Sequence, residues 1–210
     1  QLSDLTAYLW ENCFLSMIIK TVAYPRAALI GNPSDGYNGK TIAFVFRNYS
    51  AEVQLYETPE LELLPAKRDN NVFADLDALT SDVELYGYYG GIRLLKAAVK
   101  KFNEYCHRHG LRLEKKNFTM RYSSTIPNRL GLAGSSAIIT AAMRAMCEFY
   151  HIRLTPAVLA NIVLSTESDE LGIPAGLQDR VAQAYNIPVY MDFDASYMNE
   201  HGIGRYEAIE

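Results

Sequence analysis

The sequence is short of cysteine, of histidine and of net charge. Its three cysteines, Cys13, Cys106 and Cys147, are widely separated and show no Cys-x-x-Cys spacing, so they predict neither a disulfide framework nor a zinc site. They favour a reducing, cytoplasmic location. Among the four histidines only His107 and His109 stand close together, beside an expected helix end where surface placement is favoured over metal ligation.

Long hydrophobic runs and a surplus of positive charge are also lacking. The apolar stretch 13–19 is too short to span a bilayer and lacks the preceding basic residues of a signal peptide, so we expect an N-terminal helical segment over residues 1–20. The net charge of −4 argues against nucleic acid and against a membrane as partners, because both require a concentrated positive face. With 49% hydrophobic residues, the 210-residue chain can form a packed core.

The hydrophobic pattern predicts a mixed α and β fold that begins with strands. Short apolar runs separated by turn-forming residues are typical of a sheet. We expect strands at 21–30, 40–46, 51–56 and 60–64, an exposed loop at 65–71, and further strands at 118–122 and 188–192.

Helices are predicted between the later strands. An apolar stripe at three- and four-residue steps predicts a helix from Ile92 to near Gly110 that covers the sheet. A second helix is expected to begin at the serines after the glycine-rich segment. Thr155 as N-cap and Pro156 at the first helical position predict the start of a third helix, and a short fourth helix is expected at 178–185.

The glycine-serine segment 127–137 lies between a predicted strand and a predicted helix. Glycines that allow close approach, followed by a helix N-terminus with its partial positive charge, are what a polyphosphate site needs. The lysine of a Walker A loop is absent, which excludes a P-loop NTPase. The spacing alone leaves a tight turn with a serine-capped helix equally open. The candidate nucleotide-binding residues are Pro127, Arg129, Gly131, Leu132, Ala133, Gly134, Ser135, Ser136 and Ala137.

Two further segments carry candidate chemistry. Arg26 leads into the loop 31–39, whose amides, carboxylate and hydroxyls are groups that orient a polyhydroxylated substrate, although a solvated Asx-type turn is an equally simple interpretation. Glu167, at a helix end, could bind magnesium, and Asp179 could act on an attacking hydroxyl, as phosphoryl transfer requires. The alternative for the acidic run 166–170 is a solvated face. The candidate substrate-binding residues of the loop are Asn32, Asp35, Tyr37 and Asn38.

In this order, the three segments resemble the GHMP kinase superfamily, which is named for galactokinase, homoserine kinase, mevalonate kinase and phosphomevalonate kinase. Residues 131–137 look like its phosphate-binding motif, and residues 25–39 look like its N-terminal substrate motif. The resemblance implies an α+β fold over residues 21–190, similar to ribosomal protein S5 domain 2, with 191–210 starting a C-terminal region. No third glycine-rich motif precedes Glu210, so we expect the C-terminal domain to be missing or incomplete.

Within the superfamily, residues 31–35, 87–95 and 125–136 most resemble the glucuronokinases. That resemblance implies an enzyme that uses ATP and Mg2+ to phosphorylate the anomeric hydroxyl of D-glucuronate. The alternatives are a kinase for another sugar or small alcohol, and a non-catalytic ligand-sensing relative. Galactokinases carry a Glu-His pair where this chain has Asn32-Pro33, which argues against galactose as the substrate.

The resemblance also implies roles for single residues. Asp179 matches the catalytic base, although it could instead only position the hydroxyl, and Arg26 matches the basic residue near the reaction centre. Ser136 matches the serine that contacts magnesium and phosphate, with Ser135 as a close rival, and Glu167 matches the magnesium-ligating glutamate. A bound uronate carboxylate requires a cationic partner. The candidates for this partner are Arg129, Arg47, Lys40 and Arg180.

Overall fold

The computed structural model describes residues 17–66, 69, 73–86, 90–128 and 130–209, with no account of the side chains of 82–86. The expected N-terminal helical segment therefore lies almost wholly outside the described residues. The same holds for Arg129 and for residues 87–89, which contributed to the resemblance described above.

The strands form two four-stranded sheets. The first has the order β1-β4-β6-β5, with β5 parallel to β6 and the other pairs antiparallel; its strands are β1 (Ile19–Ala23), β4 (Ala51–Thr58), β6 (Asn117–Ser124) and β5 (Glu62–Leu64). The second is antiparallel throughout, in the order β2-β3-β7-β8; its strands are β2 (Arg26–Ile30), β3 (Lys40–Val45), β7 (Val189–Asp192) and β8 (Arg205–Ala208).

Two expectations about the β regions were wrong. The single strand expected at 21–30 is two strands in different sheets, because Tyr24-Pro25 interrupts it and proline cannot donate a ladder hydrogen bond. The expected exposed loop at 65–71 contains the buried Asp69, whose carboxylate accepts hydrogen bonds from the Ala66 amide and the Tyr122 hydroxyl. The remaining predicted strands are confirmed to within a few residues.

Six helices lie in the described part of the chain. They are α1 (Leu76–Tyr86), α2 (Ile92–Arg108), α3 (Gly134–Phe149), α4 (Pro156–Ser165), α5 (Leu177–Tyr185) and α6 (Ala195–His201). The helix start at Thr155 is confirmed, because its side chain accepts a hydrogen bond from the Val158 amide. A π-helical turn, Thr166–Glu170, extends α4. Three elements, α1, α6 and β8, were not predicted from the sequence.

The core places α3 and α5 between the two sheets. α3 contacts β1 and β4, α5 contacts β2 and β3, and the two helices contact each other. The helix expected to cover the sheet, α2, packs chiefly on α3 and contacts the sheet at β5, so the expectation holds only for that edge. Arg144 of α3 donates hydrogen bonds to the carbonyls of Val22 and Gln183, and burial lowers the pKa of its guanidinium.

No helix among the described residues is long and apolar enough to cross a membrane. The N-termini of α3 and α5 both line one cavity, together with the loops around them.

Candidate functional site

The glycine-serine loop turns sharply into α3. Gly131 (φ +67°) and Ala133 (φ +58°) both adopt left-handed backbone conformations, which glycine tolerates and alanine does not favour. Ala133 is the N-cap residue and has no side-chain oxygen with which to accept the first amides of the helix. The positive end of a 16-residue helix therefore meets the cavity at Gly134 and Ser135.

Hydrogen bonds hold this loop against its neighbours. The Arg26 amide donates to the Leu132 carbonyl at 3.2 Å, which joins the start of β2 to the loop. The Gln183 side chain donates to the carbonyls of Ala133 (2.9 Å) and Tyr24 (3.1 Å). Gln183 was not predicted, because a polar residue within the short helix expected at 178–185 gave no signal that would have distinguished it.

A chain of charged side chains crosses from the loop to the first turn of α5. The Ser135 hydroxyl donates to Oε1 of Glu167 at 2.6 Å, and Oε2 of Glu167 accepts from the guanidinium of Arg180, with the Nε contact at 2.7 Å. Arg180 also pairs with Oδ2 of Asp179 at 3.2 Å, and Oδ1 of Asp179 accepts from Nη2 of Arg26. Serine, two carboxylates and two arginines therefore form one continuous network.

The two candidate serines occupy different positions. Ser135 lines the cavity, whereas Ser136 is fully buried and its hydroxyl donates to the Ala133 carbonyl at 3.0 Å. Ala137 is likewise fully buried, and Glu167 is fully buried behind Ser135. The roles assigned to these residues stay predictions, and the geometry favours Ser135 over Ser136 as the hydroxyl available to a ligand.

The loop 31–39 forms another part of the cavity wall. Gly31 (φ +84°) makes the turn out of β2, and a 3-10 turn, Ser34–Tyr37, presents Asp35 to the N-terminus of α5. Oδ2 of Asp35 accepts a hydrogen bond from the Gln178 amide at 3.1 Å. Asn38 ends the turn in a left-handed conformation and is exposed, which is a turn-forming role.

The cavity has a volume of about 870 Å³. Its lining includes, from the predicted substrate and catalytic residues, Arg26, Asn32, Asp35, Tyr37 and Asp179. From the predicted nucleotide-binding residues it includes Pro127, Gly131, Leu132, Ala133, Gly134 and Ser135. The structure thus brings together most of the residues predicted from segments far apart in the sequence.

Of the three expected cationic partners of a uronate that the structure describes, only Arg180 lines the cavity. Lys40 pairs with Asp192 at 3.3 Å, and its hydrogen bonds to Tyr190 and Asp192 raise its pKa. Arg47 lies over the Tyr24 ring, 5.4 Å from the centroid. Arg180 lines the cavity but pairs with two carboxylates. Arg93, in the first turn of α2, also lines the cavity, and the sequence analysis did not single it out.

Comparison with known proteins identifies the class to which this architecture belongs. Residues 93–186 match the family model of the GHMP kinases N terminal domain. The chain therefore contains a GHMP kinase N-terminal domain. The expectation of an α+β GHMP kinase fold is confirmed.

Individual proteins of known name are also similar to this chain. The chain is 42% identical over 191 residues to Glucuronokinase 1 of Arabidopsis thaliana, which covers 90% of this chain and 52% of that protein. It also matches the crystal structure of Lactococcus lactis galactokinase complexed with galactose, with a TM-score of 0.70 at 18% identity over 99% of this chain and 51% of the other. It also matches the crystal structure of a D-glycero-D-manno-heptose 1-phosphate kinase from Bacteroides thetaiotaomicron, with a TM-score of 0.69 at 20% identity over 92% of this chain and 60% of the other. The chain spans about half the length of the curated glucuronokinase.

Proposed function

We propose that this chain forms the nucleotide-binding and catalytic part of an ATP-dependent sugar kinase that acts on the anomeric hydroxyl of D-glucuronate. The observation that carries the proposal is the network that links Ser135, at the phosphate-type loop, to Asp179 across one cavity. The identity of 42% to a glucuronokinase supports the choice of acceptor. A cytoplasmic location is part of the same proposal.

The triphosphate of ATP fits the loop before α3. Gly131 and Ala133 adopt left-handed backbone conformations, and the helix N-terminus adds partial positive charge where a phosphate oxygen would lie. Arg26 lies beside this loop, and its Nε is buried without a hydrogen-bond partner among the described residues. A buried donor of that kind is suited to a charged oxygen that arrives with the ligand.

The oxygens of Ser135 and Glu167 fit a magnesium ion. Mg2+ takes oxygen ligands at about 2.0–2.1 Å in octahedral geometry, which places adjacent ligand oxygens about 3 Å apart. The Ser135 hydroxyl and Oε1 of Glu167 are 2.6 Å apart and need to separate only slightly. Bound there, the ion would neutralise charge on the β- and γ-phosphates. Arg180 holds the other Glu167 oxygen in place.

We assign to Asp179 the role of accepting the proton of the acceptor hydroxyl. Arg26 holds one of its oxygens and Arg180 the other, so the carboxylate is fixed in orientation while its side chain remains 19% exposed at the cavity. A hydroxyl bound beside Asp179 would pass its proton to the carboxylate as it attacks the γ-phosphate. Arg26 would then stabilise the charge that develops on the transferred group.

The proposal is tested with a coupled assay of ADP release by the full-length polypeptide. We expect Mg2+-dependent turnover with D-glucuronate and a loss of about 100-fold or more in kcat for Asp179→Asn, because general base catalysis contributes about that much. The same panel includes glucose, galactose and mevalonate. Turnover only with one of these would overturn the assignment to glucuronate, and unchanged phosphorylation by Asp179→Asn would overturn the role of Asp179.

A non-catalytic ligand-sensing relative is the second candidate. It would bind ATP and sugar without ADP release. Isothermal titration that shows binding of both ligands, alongside no turnover with any sugar of the panel, would favour it over the kinase.

A further inference from the structure

Asp35 makes a contact that substrate recognition alone does not explain. Its Oδ2 accepts a hydrogen bond from the backbone amide of Gln178, 143 positions later in the chain, at 3.1 Å. Gln178 is the second residue of α5, and its amide is one of those that a helix N-terminus leaves without a partner inside the helix. Asp35 therefore caps a helix that is distant in the sequence and lines the same cavity.

The helix has no cap of its own. Its N-cap residue, Gly176, has no side chain and makes no side-chain capping hydrogen bond. Serine, threonine, asparagine or aspartate is preferred at this position because each supplies an oxygen to the first amides. In this chain the oxygen comes from the loop 31–39 instead.

The identity of Gly176 supports the same contact. Its backbone has φ −123° and ψ 167°, an extended conformation that any residue adopts, so the backbone does not require glycine. A Cβ at this position would lie 2.0 Å from Oδ2 of Asp35. A side chain at residue 176 would therefore displace the Asp35 carboxylate from this position.

Asp179 follows directly in the first turn of this helix. Its carboxylate is already held by two arginines, while the backbone that carries it is held at the helix start by Asp35. We propose that Asp35 is a positioning residue for Asp179. Its hydrogen bond to the Gln178 amide, called the clasp below, holds the N-terminus of α5 and fixes the turn that carries the proposed base. This inference rests on the proposed kinase function only for its effect on turnover.

The clasp also connects the two walls that a sugar would touch. Asp35 lines the cavity, and its Oδ1 accepts only the short-range bond from the Gly36 amide at 3.1 Å among the contacts of the described residues. A carboxylate has about four lone-pair sites, so Asp35 can hold the helix and still accept an acceptor hydroxyl. A sugar bound to Asp35 would therefore be connected, through the same carboxylate, to the backbone of the turn that carries Asp179.

Amide hydrogen exchange of Gln178, followed by NMR, tests the clasp without any need for activity. We expect Asp35→Ala to speed the exchange of the Gln178 amide tenfold or more, because the amide loses its partner. Asp35→Asn should keep it protected, since asparagine is an equally good cap. Gly176→Ala should reproduce the fast exchange while leaving the Asp35 carboxylate in the protein.

Asp194→Ala is the matched control. Asp194 caps α6, away from the cavity, by accepting the Tyr197 amide at 2.9 Å, so this variant loses a similar helix cap elsewhere. Its Gln178 exchange should equal that of the wild type. Equal Gln178 exchange in the wild type and Asp35→Ala would overturn the clasp, whether or not the protein is a kinase.

Kinetics then test the positioning role. Gly176→Ala should lower kcat about tenfold with an unchanged KM for ATP, and Asp35→Asn should retain a higher kcat than Asp35→Ala. Fast Gln178 exchange in Gly176→Ala together with an unchanged kcat would show that the clasp does not position Asp179, and would overturn the proposal. Absence of turnover in the wild type would reject the proposed function alone, because the exchange result would still stand.

Discussion

The buried pair of Glu167 and Arg180 allows a quantitative prediction. Glu167 is fully buried and Arg180 is 5% exposed, and Glu167 accepts from two nitrogens of the guanidinium and from the Ser135 hydroxyl. Removing one partner of a buried pair typically costs about 3–5 kcal/mol, because the other charge stays buried without compensation. Arg180 retains Asp179 and the Gly176 carbonyl, so we expect Glu167→Ala to cost about 3 kcal/mol.

Urea unfolding monitored by circular dichroism measures the loss in free energy of unfolding. A loss of about 3 kcal/mol corresponds to a fall in Tm of about 6–12 °C for a domain of this size. The double variant Glu167→Ala/Arg180→Met removes both charges, so it should be more stable than the sum of the two single losses predicts. Lys100→Ala, which breaks an exposed pair with Glu170, is the control and should leave the unfolding midpoint nearly unchanged. A loss below about 1 kcal/mol for Glu167→Ala, or strictly additive losses in the double variant, would refute the reasoning.

Two further predictions concern the thiols and the loop 31–39. Burial raises the pKa of Cys147 to about 12, so only about one thiol in 10,000 is ionised at pH 8. In a Cys13→Ser background, iodoacetamide at pH 8 should leave Cys147 of the native protein unmodified. The same reagent should alkylate Cys147 when the protein is unfolded in urea. Modification of the native protein, read by mass spectrometry, would contradict this. Gly31→Ala should cost about 2 kcal/mol or more, because φ is +84° and a Cβ would lie 2.2 Å from the Lys40 carbonyl. Gly36→Ala, with no atom within 4 Å of its Cβ, should keep the wild-type urea midpoint, and equal losses in the two variants would contradict the argument.

Local signals in the sequence predicted much of the fold. Thr155-Pro156 predicted the start of α4 because capping and the fixed φ of proline act within one turn. Pro25 is a local signal for the break at Tyr24-Pro25 that was not used, but the sheet that each strand joins depends on pairing with β4 and β3 and has no local signal. The burial of Asp69 was missed for the same reason, since its partner Tyr122 lies 53 positions away in the chain.

Several residues of the site could be predicted from the sequence, but the contacts that these residues make could not. Arg26, Asp35 and Asp179 were singled out from separate segments, and all three line one cavity. The choice between Ser135 and Ser136 could not be made from sequence, because it depends on which hydroxyl the turn at Ala133 directs towards Glu167. The capping of α5 by Asp35 is a contact between distant segments, and neither segment carries a signal for it.

The identity of the phosphorylated product tests the central claim most directly. The full-length polypeptide, incubated with ATP, Mg2+ and D-glucuronate, should form a sugar phosphate whose 31P resonance couples to the anomeric proton, and Asp179→Asn should form almost none. A phosphate attached at another position, or none with glucuronate while another sugar is phosphorylated, would contradict the account.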